Sequence, residues 1–106
     1  MTLEQLQSIP ILQTVSISEA TKEDPTTHAY IVECLQRFFA GDYGEVPAED
    51  VDANNADLEQ GDGHILARYK KAFRLDTDIY IEAHFYYEAL DDINYSNIVI
   101  MYPFER

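Results

Sequence analysis

Between Asp42 and Asp62 the chain contains no lysine or arginine, although eight acids stand there: Asp42, Glu45, Glu49, Asp50, Asp52, Asp57, Glu59 and Asp62. Bases are scarce throughout, with 7 Lys and Arg against 20 Asp and Glu and a net charge of -13 over 106 residues. So negative a surface repels polyanions, which argues against direct binding to DNA, RNA or an anionic membrane and favours a cationic protein surface as partner. Cysteine is reduced to Cys34, so no internal disulfide can form, as suits a reducing compartment. No apolar run approaches the roughly 18 to 20 residues of a membrane span, and the acidic N-terminal stretch lacks the basic start of a signal peptide. A cytoplasmic protein is expected. Gly-rich phosphate loops, nucleophile elbows, internal repeats and low-complexity tracts are all missing, and no sequence feature specifies an oligomeric state.

What is present is a core. Apolar residues make up 46% of the chain and aromatic residues 12%, too many for a disordered acidic tail. At this length one domain spanning residues 1–106 is expected, burying roughly 60 to 70% of the surface of the unfolded chain.

The apolar pattern divides the chain. Ile9 to Ile17 alternates through Ile11, Gln13, Val15 and Ile17 behind Pro10, which predicts a strand. Asp24-Pro25 reads as an N-cap followed by proline at the first helical position. Ile31, Leu35 and Phe38 then recur at helical spacing up to Gly41 and predict the main helix. Val46-Pro47 opens a shorter helix with only Val51 and Leu58 as an apolar stripe, its acids facing water, and Gly61-Asp62-Gly63 ends it.

From His64 the period becomes 2. Ile65, Ala67, Tyr69 and Phe73, then Ile79, Ile81, Ala83, Phe85 and Tyr87, predict a hairpin around Leu75-Asp76-Thr77. An even-sum register keeps both apolar faces together, and a three-residue loop would set Arg74 opposite Asp78, Lys70 opposite Glu82 and Arg68 opposite His84. Glu88 to Ser96 reads as a loop. The unbroken apolar run Ile98 to Tyr102 predicts a strand in the interior of the sheet. The expected fold is therefore α+β: an antiparallel sheet of about four strands, one main helix packed on a face, and a short acidic helix at its margin.

Metal and catalytic chemistry find little support. Asp50-Val51-Asp52-Ala53-Asn54-Asn55 resembles the start of a calcium loop, but position twelve is Gly61 where a bidentate Glu is required. His28, His64 and His84 lie at none of the short spacings of structural zinc sites, and Cys34 falls within the main helix, where a buried thiol packs as a small hydrophobe. No cofactor and no enzymatic role is expected. Eight tyrosines are many for this length; Tyr80 and Tyr86 fall on the face opposite the apolar ladder, with Glu82 and His84 between them, and are candidates for partner contact.

The segment Leu35-Gln36-Arg37-Phe38-Phe39-Ala40-Gly41-Asp42-Tyr43-Gly44, followed by Glu49-Asp50, Asn54-Asn55, Leu58, Gly61 and Ile65-Leu66-Ala67-Arg68-Tyr69, resembles a family of small bacterial proteins carried by phages and plasmids. That family has an Arg, a Gly-Asp-aromatic-Gly turn, an Asn-rich acidic helix and a Leu-Leu-x-x-Tyr strand in this order. Ile79-Tyr80-Ile81 and Ile98 to Pro103 resemble its last two motifs, so the similarity covers residues 35–104. Phe38 stands where the family usually has His and Tyr43 where it has Trp, and a residue is inserted near Asp62. The resemblance implies a mobile-element setting. Together with the charge, it leads to the expectation of a non-enzymatic inhibitor, of the anti-CRISPR or anti-restriction type, that mimics nucleic acid in the basic channel of a host defence nuclease. The alternative is an acidic assembly module of a mobile element with no inhibitory role. The residues expected to carry partner binding are Asp42, Glu45, Glu49, Asp50, Asp52, Asp57, Glu59, Asp62, Tyr80 and Tyr86.

Overall fold

A computed structural model describes residues 1–106 as α1 (Leu3–Leu6), β1 (Ile11–Gln13), α2 (Val15–Glu23), α3 (Pro25–Phe39), α4 (Ala48–Gln60), β2 (Asp62–Tyr69), β3 (Ile79–Tyr86) and β4 (Asn97–Met101). Single 3-10 turns stand at Tyr87–Ala89 and Pro103–Glu105. The start of α3 follows the sequence pattern: the Asp24 carboxylate accepts from the Thr26 N–H at 3.1 Å, and Pro25 occupies the first turn. Its buried face is Thr27, Ile31, Cys34 and Phe38, the i, i+4, i+7 stripe of an amphipathic helix.

The N-terminal strand is shorter than its alternation suggests. Thr14 ends it, because the Thr14 hydroxyl accepts from the Ile17 N–H at 3.4 Å and caps α2. Val15 and Ile17 therefore lie on a helix rather than a strand; Ile17 is buried and Val15 is exposed.

The four strands form one sheet in the order β1-β4-β3-β2. It is mixed rather than purely antiparallel: β2 and β3, and β3 and β4, run antiparallel, but β1 lies parallel to β4. β4 stands inside the sheet between β1 and β3, the position its apolar run predicts. Ile65, Ala83 and Ile98 align across the strands, as do Ala67, Ile81 and Ile100. All six are buried in one cluster with Ile31, Cys34 and Phe38 of α3, and with Leu6, Ile9, Ile17 and Tyr43.

The β2-β3 register keeps the even sum, since Ile65 faces Ala83 and Ala67 faces Ile81. The expected pairs are nevertheless wrong. Leu66, not Lys70, lies opposite Glu82; His64, not Arg68, lies opposite His84; and Arg74 lies outside the ladder. Asp78 explains the shift. Its carboxylate accepts from Arg68 Nε at 2.7 Å and from the Lys71 N–H at 2.9 Å, which folds residues 70–78 into a wide connection instead of a tight loop. Lys70 is left 3.9 Å from Glu45 and Arg74 4.0 Å from Asp24.

One core side chain is imperfectly satisfied. Tyr43 is buried edge-on to Phe38, with ring centres 6.0 Å apart, and its hydroxyl has no hydrogen-bond partner. A buried hydroxyl without a partner costs about 1 to 3 kcal/mol. Tyr43→Phe is therefore expected to stabilise the fold, with a melting temperature higher by roughly 4 to 8 °C for each kcal/mol gained. A lower melting temperature in differential scanning calorimetry would mean that the hydroxyl is held by a bond the packing does not show.

Candidate functional site at the acidic helix

α4 has weak reasons of its own to be a helix. Its N-cap, Pro47, makes no side-chain bond, and Val51 and Leu58 are only partly buried. The helix is fixed instead by what it does to the outer edge of β2. Asn54 donates from Nδ2 to the Leu66 carbonyl at 3.0 Å and accepts at Oδ1 from the Leu66 N–H at 3.2 Å, so that a side-chain amide stands in for the backbone of a neighbouring strand. One turn on, Asp57 accepts from the His64 N–H at 3.1 Å. The turn before α4 completes the cover: the Arg68 N–H donates to the Tyr43 carbonyl at 3.0 Å and the Arg68 carbonyl accepts from the Glu45 N–H at 2.6 Å.

Two glycines permit this approach. A Cβ on Gly63 would lie 2.5 Å from Asp57 Oδ2, and one on Gly44 would lie 2.1 Å from the Arg68 carbonyl oxygen. Both residues also have positive φ, at 134° and 71°.

With Asn54 facing β2, the 3.6-residue turn disposes the acids. Glu49, Asp52 and Glu59 all fall within about 40° of the direction opposite Asn54, with Asp52 and Glu59 seven residues apart, about 10.5 Å, whereas Asp50 and Asp57 fall within about 60° of Asn54 itself. Only Glu49 and Asp52 stand at the three-residue spacing that brings carboxylates within about 5 to 6 Å. Glu49, Asp50, Asp52, Glu59 and Asp62 are all exposed, and their carboxylates make no ion pair or hydrogen bond.

The other three acids are engaged internally. Asp42 binds Arg37 Nε at 2.7 Å and accepts from the Gly44 N–H at 3.0 Å; the Arg37 bond, then the Gly44 bond, hold its carboxyl below the usual range. Asp57 covers the strand edge, and Glu45 stands 3.9 Å from Lys70. The expected block of eight is thus a surface of five free carboxylates on a structural frame.

That surface extends past the end of α4. No base stands in its last turn to offset the negative end of the helix dipole, and the Tyr87 N–H donates to the Gly61 carbonyl at 2.8 Å. Asp62 pairs with Tyr86 across the ladder, and the Tyr86 hydroxyl donates to Glu88 at 3.0 Å. That hydrogen bond to Glu88, with the charges of Glu88 and Asp62, raises the phenol's pKa. Beside it an open depression of about 780 Å³ is lined by Tyr87, Glu88, Leu90, Asp91 and Ile93. Ile93 and Tyr95 are exposed large side chains that sequence reading did not single out, and Tyr87, expected on the apolar face of the hairpin, is instead exposed in the turn that follows β3; the signal available was the conjunction of tyrosines with Glu88, Asp91 and Asp92 in a segment without bases.

Tyr80 does not join Tyr86 in one patch. It is half-buried under Arg68, whose guanidinium carbon lies 5.8 Å from the ring centre. Between the two tyrosines, Glu82 is buried and accepts from Arg106 at 2.9 and 3.1 Å. Burial alone would raise the Glu82 pKa, but the Arg106 bonds and charge outweigh it and hold the carboxyl low.

Asp50, Asp52 and Asn54 lie on a regular helix with Asn54 committed to Leu66, so they cannot wrap an ion, and no cluster of three or more His, Cys, Asp or Glu is placed to hold a metal. Cys34 is fully buried, as expected, and desolvation pushes its thiol up to about 11. No protein-family model, curated protein or solved structure matches the chain.

Asn54→Ala should destabilise the fold by about 1 to 3 kcal/mol, since two backbone groups at the strand edge lose their partners. Asn54→Asp is the sharper test. At pH 7 an aspartate would still accept from the Leu66 N–H but would set an anionic oxygen against the Leu66 carbonyl. Its folded-state pKa would therefore be raised, and the penalty relative to wild type should shrink as pH falls and the acid becomes a donor. Urea unfolding of both proteins at pH 7 and pH 4 checks this, and equal stability at pH 7 would refute the clamp.

Proposed function

We propose that the chain is a non-enzymatic inhibitor that presents carboxylates in place of phosphates to the basic nucleic-acid channel of a host defence nuclease, in the manner of an anti-CRISPR or anti-restriction protein. The observation that carries this reading is the set of five exposed acids, Glu49, Asp50, Asp52, Glu59 and Asp62, with no cation of the chain bound to any of them. Carboxylates left unpaired on an ordered frame favour association with a positive surface and steer its approach. Exposed Tyr86 and Tyr87 beside the end of α4 add the kind of aromatic contact area on which interfaces rely. The resemblance to phage and plasmid proteins supplies the setting, and a cytoplasmic location belongs to the same reading; no helix of the chain is long and apolar enough to cross a membrane.

The rival reading is an acidic assembly module of a mobile element, whose charge serves solubility alone. Asp52→Lys combined with Glu59→Lys separates the two. Both side chains are exposed and bond nothing, and neither stands in the first turn of α4, where a carboxylate favours the helix dipole. Folding is therefore expected to survive. The basic enzyme captured from a host lysate and released by salt should bind the double variant at least tenfold more weakly, mainly through slower association, with a smaller dependence on salt. Wild-type and variant titrations at low and moderate salt check this, and equal affinity at both would leave the surface a solubilising one.

A further inference from the structure

The two edges of the sheet are treated oppositely. Along β2 the outward groups of His64, Leu66 and Arg68 are taken up by Asp57, Asn54 and the turn at Tyr43 to Glu45. Along β1 nothing of the kind is present. The inward bonds of this strand run from the Ile98 N–H to the Pro10 carbonyl at 2.8 Å and from the Thr14 N–H to the Ile100 carbonyl at 3.1 Å, with Leu12 aligned to Val99 between them. By alternation the N–H and C=O groups of Ile11 and Gln13 point away from the sheet. No residue of the chain bonds them, and Ile11, Leu12 and Val15 beside them are 45%, 40% and 74% exposed.

Charge says what can approach this edge. From Gln5 to Ser18 the sequence holds no Asp, Glu, Lys or Arg, in a chain of net charge -13. Contact between two copies anywhere near α4 would set carboxylates against carboxylates, whereas β1 lies within a long neutral segment. The strand is also self-complementary. In an antiparallel pair whose residue numbers sum to 24, Ile11 faces Gln13 of the other copy on either side of a twofold axis through Leu12. All four outward N–H groups then find outward carbonyls.

We propose that β1 pairs with β1 of a second copy about a twofold axis at Leu12, joining two four-stranded sheets into one of eight strands. This pairing is independent of the inhibitor reading, since it uses the opposite edge of the sheet.

Leu12 would meet its own symmetry mate in a pair without hydrogen bonds, with Cα atoms about 4.5 Å apart, and this gives a specific test. Mass measured by light scattering should rise with concentration from 12.2 kDa toward twice that value. Leu12→Glu and Leu12→Lys, studied separately, should each weaken self-association at least tenfold, because like charges would face one another on the axis. An equimolar mixture of the two should recover it, which also shows that both variants fold. Gln13→Pro, which deletes an outward N–H and keeps every bond to β4, should likewise favour the monomer. A wild type that stays monomeric up to millimolar concentration would overturn the proposal and leave the edge to an extended strand of a different protein. Leu12→Glu dimerising as tightly as wild type, or a mixture that fails to recover association, would overturn it as well.

Discussion

The amide of Asn54, bonded through both its atoms to the backbone of Leu66, is the contact on which the arrangement of this protein depends. A helix with so thin an apolar stripe as α4 is marginal in isolation, and burial of Val51 and Leu58 alone would let it roll. The bidentate bond fixes its rotation and, with Asp57 one turn on, its position along β2. The same contact also prevents an unwanted one. A free edge strand is a template for pairing with other chains, and here the edge is closed by side chains set one helical turn apart, matched to strand residues set two apart. Remove that match and Glu49, Asp52 and Glu59 lose their shared outward direction.

Charge is distributed by a related economy of partners. Of the 7 bases, five are held in ion pairs: Arg37 with Asp42, Arg68 with Asp78, Lys70 with Glu45, Arg74 with Asp24 and Arg106 with Glu82. Most of these pairs are exposed and contribute little to stability individually, yet each occupies a cation that could otherwise have folded back over α4. Arg68 and Arg37 are also placed against tyrosine rings, over Tyr80 and Tyr69, which anchors them away from the acidic helix. The free carboxylates on and after α4 take part in none of these five pairs.

How much of this could be read from the sequence varies by element. The bounds of α3 were legible because Asp24-Pro25 and the spacing of Ile31, Leu35 and Phe38 point to the same structure, although Cys34 rather than Leu35 is the residue fully buried there. The interior place of β4 was legible from its unbroken apolar run. Thr14-Val15-Ser16-Ile17 was not, since two apolar residues two apart suit a strand as well as a helix, and the decision lay with the Thr14 hydroxyl. The parallel sense of β1 was hidden because a side-chain pattern carries no direction, and the hairpin register was moved by Asp78 through bonds made in space. At the site, the exposed acids were legible as a block. The commitments of Asn54, Asp57 and Asp42 within it were not, because a polar residue in a polar helix gives no sign that a strand edge will lie against it.

The pairing of β1 with β4 has a consequence in time. Ile11 aligns with Ile98, a separation of 98 - 11 = 87 residues. Synthesis at roughly 5 to 20 residues per second puts about 4 to 17 s between the two, so the first strand emerges long before the strand it joins. Throughout that interval the neutral segment Gln5 to Ser18 waits without its partner, while neighbouring ribosomes on the same message carry other growing copies of the chain. The acidic block is made in the same interval and is complete well before β4. Each nascent chain therefore acquires its mutual repulsion while its stickiest segment is still uncovered, and the order of residues along the chain acts as a safeguard during translation.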